Sequence, residues 1–176
     1  MNLGTICSRQ NGPKSHLILN LCMRRYCLLL ALAFFASAAF GQLLETSIYP
    51  ANADAKKEIS NALARANTEH KRVLLVFGAD WCYDCHVLDK RFHQTDIQPT
   101  LDKNFIVVHV DIGQGEKNVD VAEQYQIPLN RGVPSIAVVD RSGVVLYSTQ
   151  HGEISPTRRL PASDILKFLQ QWAPKN

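Results

Sequence analysis

Two cysteines three residues apart, in Cys82-Tyr83-Asp84-Cys85, are the residues of this chain best suited to chemistry. They follow an apolar run, Val73-Leu74-Leu75-Val76-Phe77, and a break at Gly78-Ala79-Asp80. They precede Val87, Leu88 and Phe92, which fall on one helical face. A C-x-x-C between a strand and a helix is a redox signature. Unpaired backbone N–H groups and the helix dipole favour an anion at a helix start, and the thiolate is the reactive form of cysteine. Cys82 is therefore the expected nucleophile. Cys85, almost one turn on, is placed to meet it and to resolve a mixed disulfide. Asp84 acts the other way. At ~7 Å and intermediate dielectric its charge opposes a Cys82 thiolate by about 1 kcal/mol. The helix terminus contributes about 0.3–1 kcal/mol in favour. The two nearly cancel, so Tyr83 and Asp84 are expected to tune the pair toward reduction or isomerisation rather than strong oxidation.

The same residues admit other chemistry. Cys82 to His86 reads C-x-x-C-H, the attachment motif of a c-type haem. Against a haem electron carrier, Met1 and Met23 are the only methionines and both lie near the N-terminus, so an axial ligand would have to be His70, His93, His109 or His151. A structural zinc needs four ligands, and one C-x-x-C with scattered histidines is weak support. A redox-inactive binding module on the same fold is a third reading. His109, in a strand, is expected to be a satisfied sheet histidine and His86 a solvated one. Arg158-Arg159 reads as a solvated charge pair and Trp172 as core.

The elements that must position the cysteines are legible from periodicity. Ala55, Ile59, Ala62, Leu63 and Ala66 place a helix over residues 51–70, with Asn52 as a possible N-cap. Val73 to Phe77 is a strand buried on both faces. A turn and short helix follow at 95–101, then a strand at 105–110 and a short helix from Asn118 to Tyr125. Arg131-Gly132-Val133-Pro134 leads into a strand at 135–139. The turn Asp140-Arg141-Ser142-Gly143 returns it to a partner at 144–148. A last helix spans 161–172. Alternation ending in a hairpin implies an α/β fold, a mixed sheet covered by helices on both faces.

The 176 residues suffice for one domain, and 46% hydrophobic with 20% charged residues is ordinary for a globular chain. The net charge of +3 is local. Arg9, Lys14, Arg24 and Arg25 fall in the first 41 positions with no acidic residue, and the remainder is close to neutral. No basic stripe suited to nucleic acid is visible beyond them. Met23-Arg24-Arg25-Tyr26, the apolar run from Cys27 to Phe40 and the small residues Ala39-Phe40-Gly41 have the order of a secretory signal. Cleavage before Gln42 is expected, with Ala36-Ser37-Ala38 as second choice and an uncleaved anchor as the alternative. Residues 1–41 are thus a leader, with the signal at roughly 23–41, and 42–176 a single domain. After cleavage only Cys82 and Cys85 remain of five cysteines, which suits a reactive pair better than a disulfide scaffold.

Val73 through Cys85, with its strand, Trp81-Cys82-x-x-Cys85 and helix start, resembles the thioredoxin superfamily, as does Arg131-Gly132-Val133-Pro134-Ser135. The resemblance covers roughly residues 50–174. It is strongest to exported thioredoxin-like domains such as the C-terminal domain of the thiol reductase DsbD and small disulfide-isomerase-like proteins. It implies a thioredoxin fold with a cis bond before Pro134, a Val133 backbone that pairs with substrate, and Trp81 flanking the cysteines. It implies a protein thiol–disulfide oxidoreductase of the bacterial periplasm, or one secreted or membrane-anchored. Such a protein would act as a monomer without bound cofactor or metal on disulfide-containing client proteins, with a membrane thiol shuttle as redox partner. One position departs from the family. A buried Asp usually stands six residues before the first Cys, and here it is Val76; Asp80 is the candidate substitute.

Overall fold

The computed structural model describes residues 47–50 and 52–175. The leader at 1–41 and its cleavage sites lie outside the described residues. No helix among the described residues is long and apolar enough to cross a membrane.

Helix α1 spans Ala55–Glu69 and is followed by β1, Arg72–Gly78. The N-cap of α1 is Asp54, not Asn52: its carboxylate accepts the Lys57 N–H at 3.1 Å, two positions beyond where the sequence suggested. Helix α2, Tyr83–Phe92, and the short α3, Gln98–Asn104, connect β1 to β2, Phe105–Asp111. Helix α4 is Val119–Gln124. Asn118 precedes it in the left-handed region and does not cap it; its side-chain amide instead donates to the Asp111 carbonyl at 2.7 Å. The hairpin strands are β3, Ser135–Val139, and β4, Val145–Ser148, and α5 is Ala162–Gln171.

The sheet order is β2-β1-β3-β4, with β1 parallel to β2, antiparallel to β3, and β3 antiparallel to β4. Strand β1 is central, and its continuous apolar run follows from that place. Val73, Leu75 and Phe77 face α1 and α4, packing with Ile59, Ala62, Ala66, Val121 and Ala122. Leu74 and Val76 face the opposite side with Leu88, Phe92, Leu101, Ile165 and Leu169 from α2, α3 and α5. All five are 1% exposed or less, so truncating any leucine among them to alanine would cost about 2–5 kcal/mol. Trp172 joins the second layer at its edge, 5.2 Å from the Tyr147 ring, and its carbonyl accepts from Arg72 at 2.7 Å. This rigid strand ends at Gly78, and the C-x-x-C begins four residues later.

Candidate active site

Cys82 is the N-cap of α2. Its backbone is extended, and its sulfur accepts the Cys85 N–H at 3.2 Å. One of the orphan donors of the helix start, the Cys85 N–H, therefore points at the atom that would carry the thiolate charge. Cys82 and Cys85 form a disulfide with Cα atoms 5.3 Å apart. Cys85 is 1% exposed and Cys82 only 5%. The outer sulfur is more covered than a lip position suggests because the next loop lies over it: the Val133 carbonyl oxygen is 3.6 Å from Cys82 Sγ.

That loop is held from both sides. The Val133–Pro134 peptide is cis. Ser155 Oγ donates to the Val133 carbonyl at 3.3 Å, and Ser135 Oγ donates to the Gly132 carbonyl at 2.8 Å. Gly132 has φ 99°, a conformation open to glycine, and Ser155 Oγ fills the space a side chain would need. Trp81 and Tyr83 stand beside the bridge, 56% and 66% exposed. Trp81 is fixed by its indole N–H, which donates to the Gly113 carbonyl at 2.7 Å. An exposed aromatic pair beside a disulfide is a ready contact surface for an extended peptide.

One sequence expectation changes here. Arg158 is not a solvated bystander. Its guanidinium meets Asp84 at 2.7 Å, and its backbone N–H donates to the other carboxylate oxygen at 2.8 Å. Asp84 is thus paired, and its repulsion of Cys82 is offset by a nearby positive charge, leaving the helix terminus less opposed than the sequence implied. His86 is exposed, as expected. Its Nε2 lies 2.6 Å from the Asp80 carbonyl. A carbonyl only accepts, so that nitrogen is the donor of this bond. Among the described residues no group of three or more His, Cys, Asp or Glu is gathered around a common point.

The inner side of the bridge is built from residues that no sequence pattern marks. Val76 faces the apolar layer beneath α2 and offers no polar atom there. The Asp80 carboxylate is committed elsewhere: it accepts from Ser47 Oγ and from the backbone N–H groups of Ile48 and Tyr49, both at 3.2 Å. This clamp delivers Tyr49, 1% exposed, into a cluster with Cys82 and Cys85. A Cβ placed on Gly78 would lie 2.4 Å from the Tyr49 hydroxyl oxygen and 2.7 Å from Cys85 Sγ, so both atoms converge over that glycine. The Tyr49 ring meets His109 edge-on, with centroids 5.3 Å apart. Tyr49 Oη and His109 Nε2 are the two buried side-chain polar atoms without a hydrogen-bond partner among the described residues. His109 is therefore not the satisfied histidine expected; the nearest carboxylate, Asp89, stays 3.6 Å away. Burial pushes the His109 imidazole below its ordinary value, with Asp89 partly opposing. Burial, then the charges of Asp89, Asp80 and Asp111, hold the Tyr49 phenol well above the usual range, so it stays protonated. No sequence signal marks Tyr49, since it belongs to no periodic element and contacts the site only through the tertiary fold.

Residues 54–141 match a family model described as thioredoxin-like. A disulphide isomerase from Xylella fastidiosa Temecula1 is 36% identical, with 70% of this chain and 94% of that chain covered and a TM-score of 0.67. The C-terminal domain of Neisseria meningitidis DsbD shares the fold in its oxidised form at 18% identity, 68% and 97% coverage and a TM-score of 0.52. Its reduced form gives 20% identity, 66% and 96% coverage and a TM-score of 0.50. No curated protein matches the sequence.

Proposed function

The chain belongs to the thioredoxin-like family, and from that premise we propose that it is an exported thiol–disulfide oxidoreductase that reduces or isomerises disulfides of other proteins. The observation that carries this reading is the Cys82–Cys85 disulfide at the start of α2, under the Val133–Pro134 loop and beside exposed Trp81 and Tyr83. In the reduced protein the Cys82 thiolate attacks one sulfur of a client disulfide. A Cys82–client bond forms, the client S–S bond breaks, and the released client thiolate takes a proton. Cys85 then attacks Cys82 Sγ, the mixed disulfide breaks, and the client leaves as a dithiol with the two electrons. Isomerisation is the same attack, with an internal client thiol replacing Cys85 in the second step. Re-reduction requires an external dithiol, for which a membrane thiol shuttle is the proposed source.

Trp81, Val133 and Pro134 are the proposed contacts for the client backbone. The proposed working form is a monomeric domain over 42–176, freed from its leader into the periplasm, with no bound cofactor. The description of the Xylella protein as a disulphide isomerase supports the isomerase arm in particular.

The two cysteines are expected to be inequivalent because Cys85 is turned inward by the first turn of α2. Both single variants are to be expressed in an exporting host and resolved on non-reducing gels after acid quench. Cys85→Ser should accumulate reductant-sensitive adducts with client proteins, whereas Cys82→Ser should give none and no exchange activity. Adducts with Cys82→Ser alone would reverse the assignment. Adducts with neither, and no exchange by the wild type, would defeat it in favour of a binding module.

A further inference from the structure

Resolving a mixed disulfide through Cys85 places a demand on the protein interior. The Cys85 thiol must shed a proton and carry developing negative charge at a sulfur that is 1% exposed. Burial disfavours that charge unless a donor meets it. The carboxylate position beneath the pair is the apolar Val76, and the Asp80 carboxylate is engaged by Ser47, Ile48 and Tyr49. The Tyr49 hydroxyl and Cys85 Sγ converge over Gly78. In the disulfide form the hydroxyl has no hydrogen-bond partner among the described residues, although a buried hydroxyl ordinarily has one.

We propose that Tyr49 is the hydrogen-bond donor to Cys85, idle while the bridge is closed and engaged with the sulfur once it opens. The proposal rests on the reading of the protein as a thiol–disulfide oxidoreductase and assigns the residue that makes its second step possible. In that step the Cys85 S–H proton passes to the departing client sulfur, the Cys85–Cys82 bond forms and the Cys82–client bond breaks. The Tyr49 O–H stays intact and stabilises the Cys85 sulfur while it is anionic. The phenol suits this part because its surroundings keep it protonated, making it a donor and not a base. Its position is fixed by the Asp80 clamp on its own N–H and by the edge of the His109 ring. Gly78 supplies the room, since any side chain there would part the two atoms.

The test is stopped-flow reaction of the reduced protein with 5,5′-dithiobis(2-nitrobenzoate). Attack by Cys82 releases the first thionitrobenzoate and resolution by Cys85 the second, so the two steps are separate phases. Tyr49→Phe keeps the ring and deletes only an unpartnered hydroxyl, so the oxidised protein should be at least as stable as the wild type. The first phase should be unchanged. The second should slow by ~10- to 100-fold, the worth of one hydrogen bond to a charged group. In glutathione buffers the Tyr49→Phe equilibrium should move toward the disulfide, because the lost bond exists in the reduced form alone. A second phase as fast as the wild type's would overturn the proposal, as would equal slowing of both phases, which marks a structural role. A wild type that releases no thionitrobenzoate would overturn the oxidoreductase reading itself, and the two failures are thereby told apart.

Discussion

Outward of the Cys82–Cys85 bridge lie Trp81 and Tyr83, both more than half exposed, and the Asp84–Arg158 ion pair. Inward lie Gly78, Tyr49 and His109, where two buried polar atoms have no hydrogen-bond partner among the described residues. Every charge on the outer side is either paired or open to water, so changes there act through weak, screened interactions. On the inner side an unpaired buried polar atom costs about 1–3 kcal/mol. A fold that retains two of them against stability does so where chemistry needs them. The outer side is built to meet a partner and the inner side to handle a sulfur.

The sharpest way to break this contrast is Gly78→Ala. The added Cβ would collide with Tyr49 Oη and Cys85 Sγ, neither of which can swing aside in a packed interior. Overpacking of this kind should cost about 2–3 kcal/mol in urea unfolding of the oxidised protein. A loss under half a kcal/mol would mean that the inner gap is loose.

Acid sensitivity should come from the inner side as well. His109 has a folded value below its ordinary 6.5, so the unfolded chain binds its proton first as pH falls. The stability held by neutral His109 is present above about pH 6.5 and is lost progressively below it, down through the depressed folded value. The loss is bounded by about 1.4 kcal/mol per pH unit. Unfolding free energies at pH 7.5 and 5.5 should therefore fall more in the wild type than in His109→Gln. Equal falls would assign the sensitivity to other groups.

Arg158→Ala should have the smallest effect on stability, at most about 1 kcal/mol, because half of its side chain is in water. It should nevertheless free the Asp84 charge and move the thiolate absorbance transition of reduced Cys82 upward by roughly 0.7 pH unit. Adding Asp84→Asn should reverse that movement. No movement in either variant would place the carboxylate too far from the sulfur to matter.

The same division separates what could be read from the chain from what could not. The outer side is local in sequence: Trp81 through Cys85 is one continuous stretch, and Gly132-Val133-Pro134 announces its turn by composition. The strands were legible because β1 is central and its apolar run unbroken, although the cap of α1 fell two residues from its expected place. Tyr49, Asp80 and Arg158 were not legible in role, because each acts on a residue 31 or more positions away. Asp80 stands near the pair in the sequence, but its use depends on three donors from a segment with no periodicity. His109 looked satisfied because a strand pattern fixes which face a side chain takes and says nothing of what meets it there.

The Ser47–Tyr49 segment has a consequence for how the protein should be cut and fused. A fragment begun at Ala55 would keep every helix and strand of the described residues, the cysteines and the proline loop. It would have lost the floor of its own reaction chamber, and with it the three donors to Asp80. Recombinant boundaries and affinity tags therefore belong upstream of Ser47, and activity lost in a shortened version would report a missing wall rather than a failed fold.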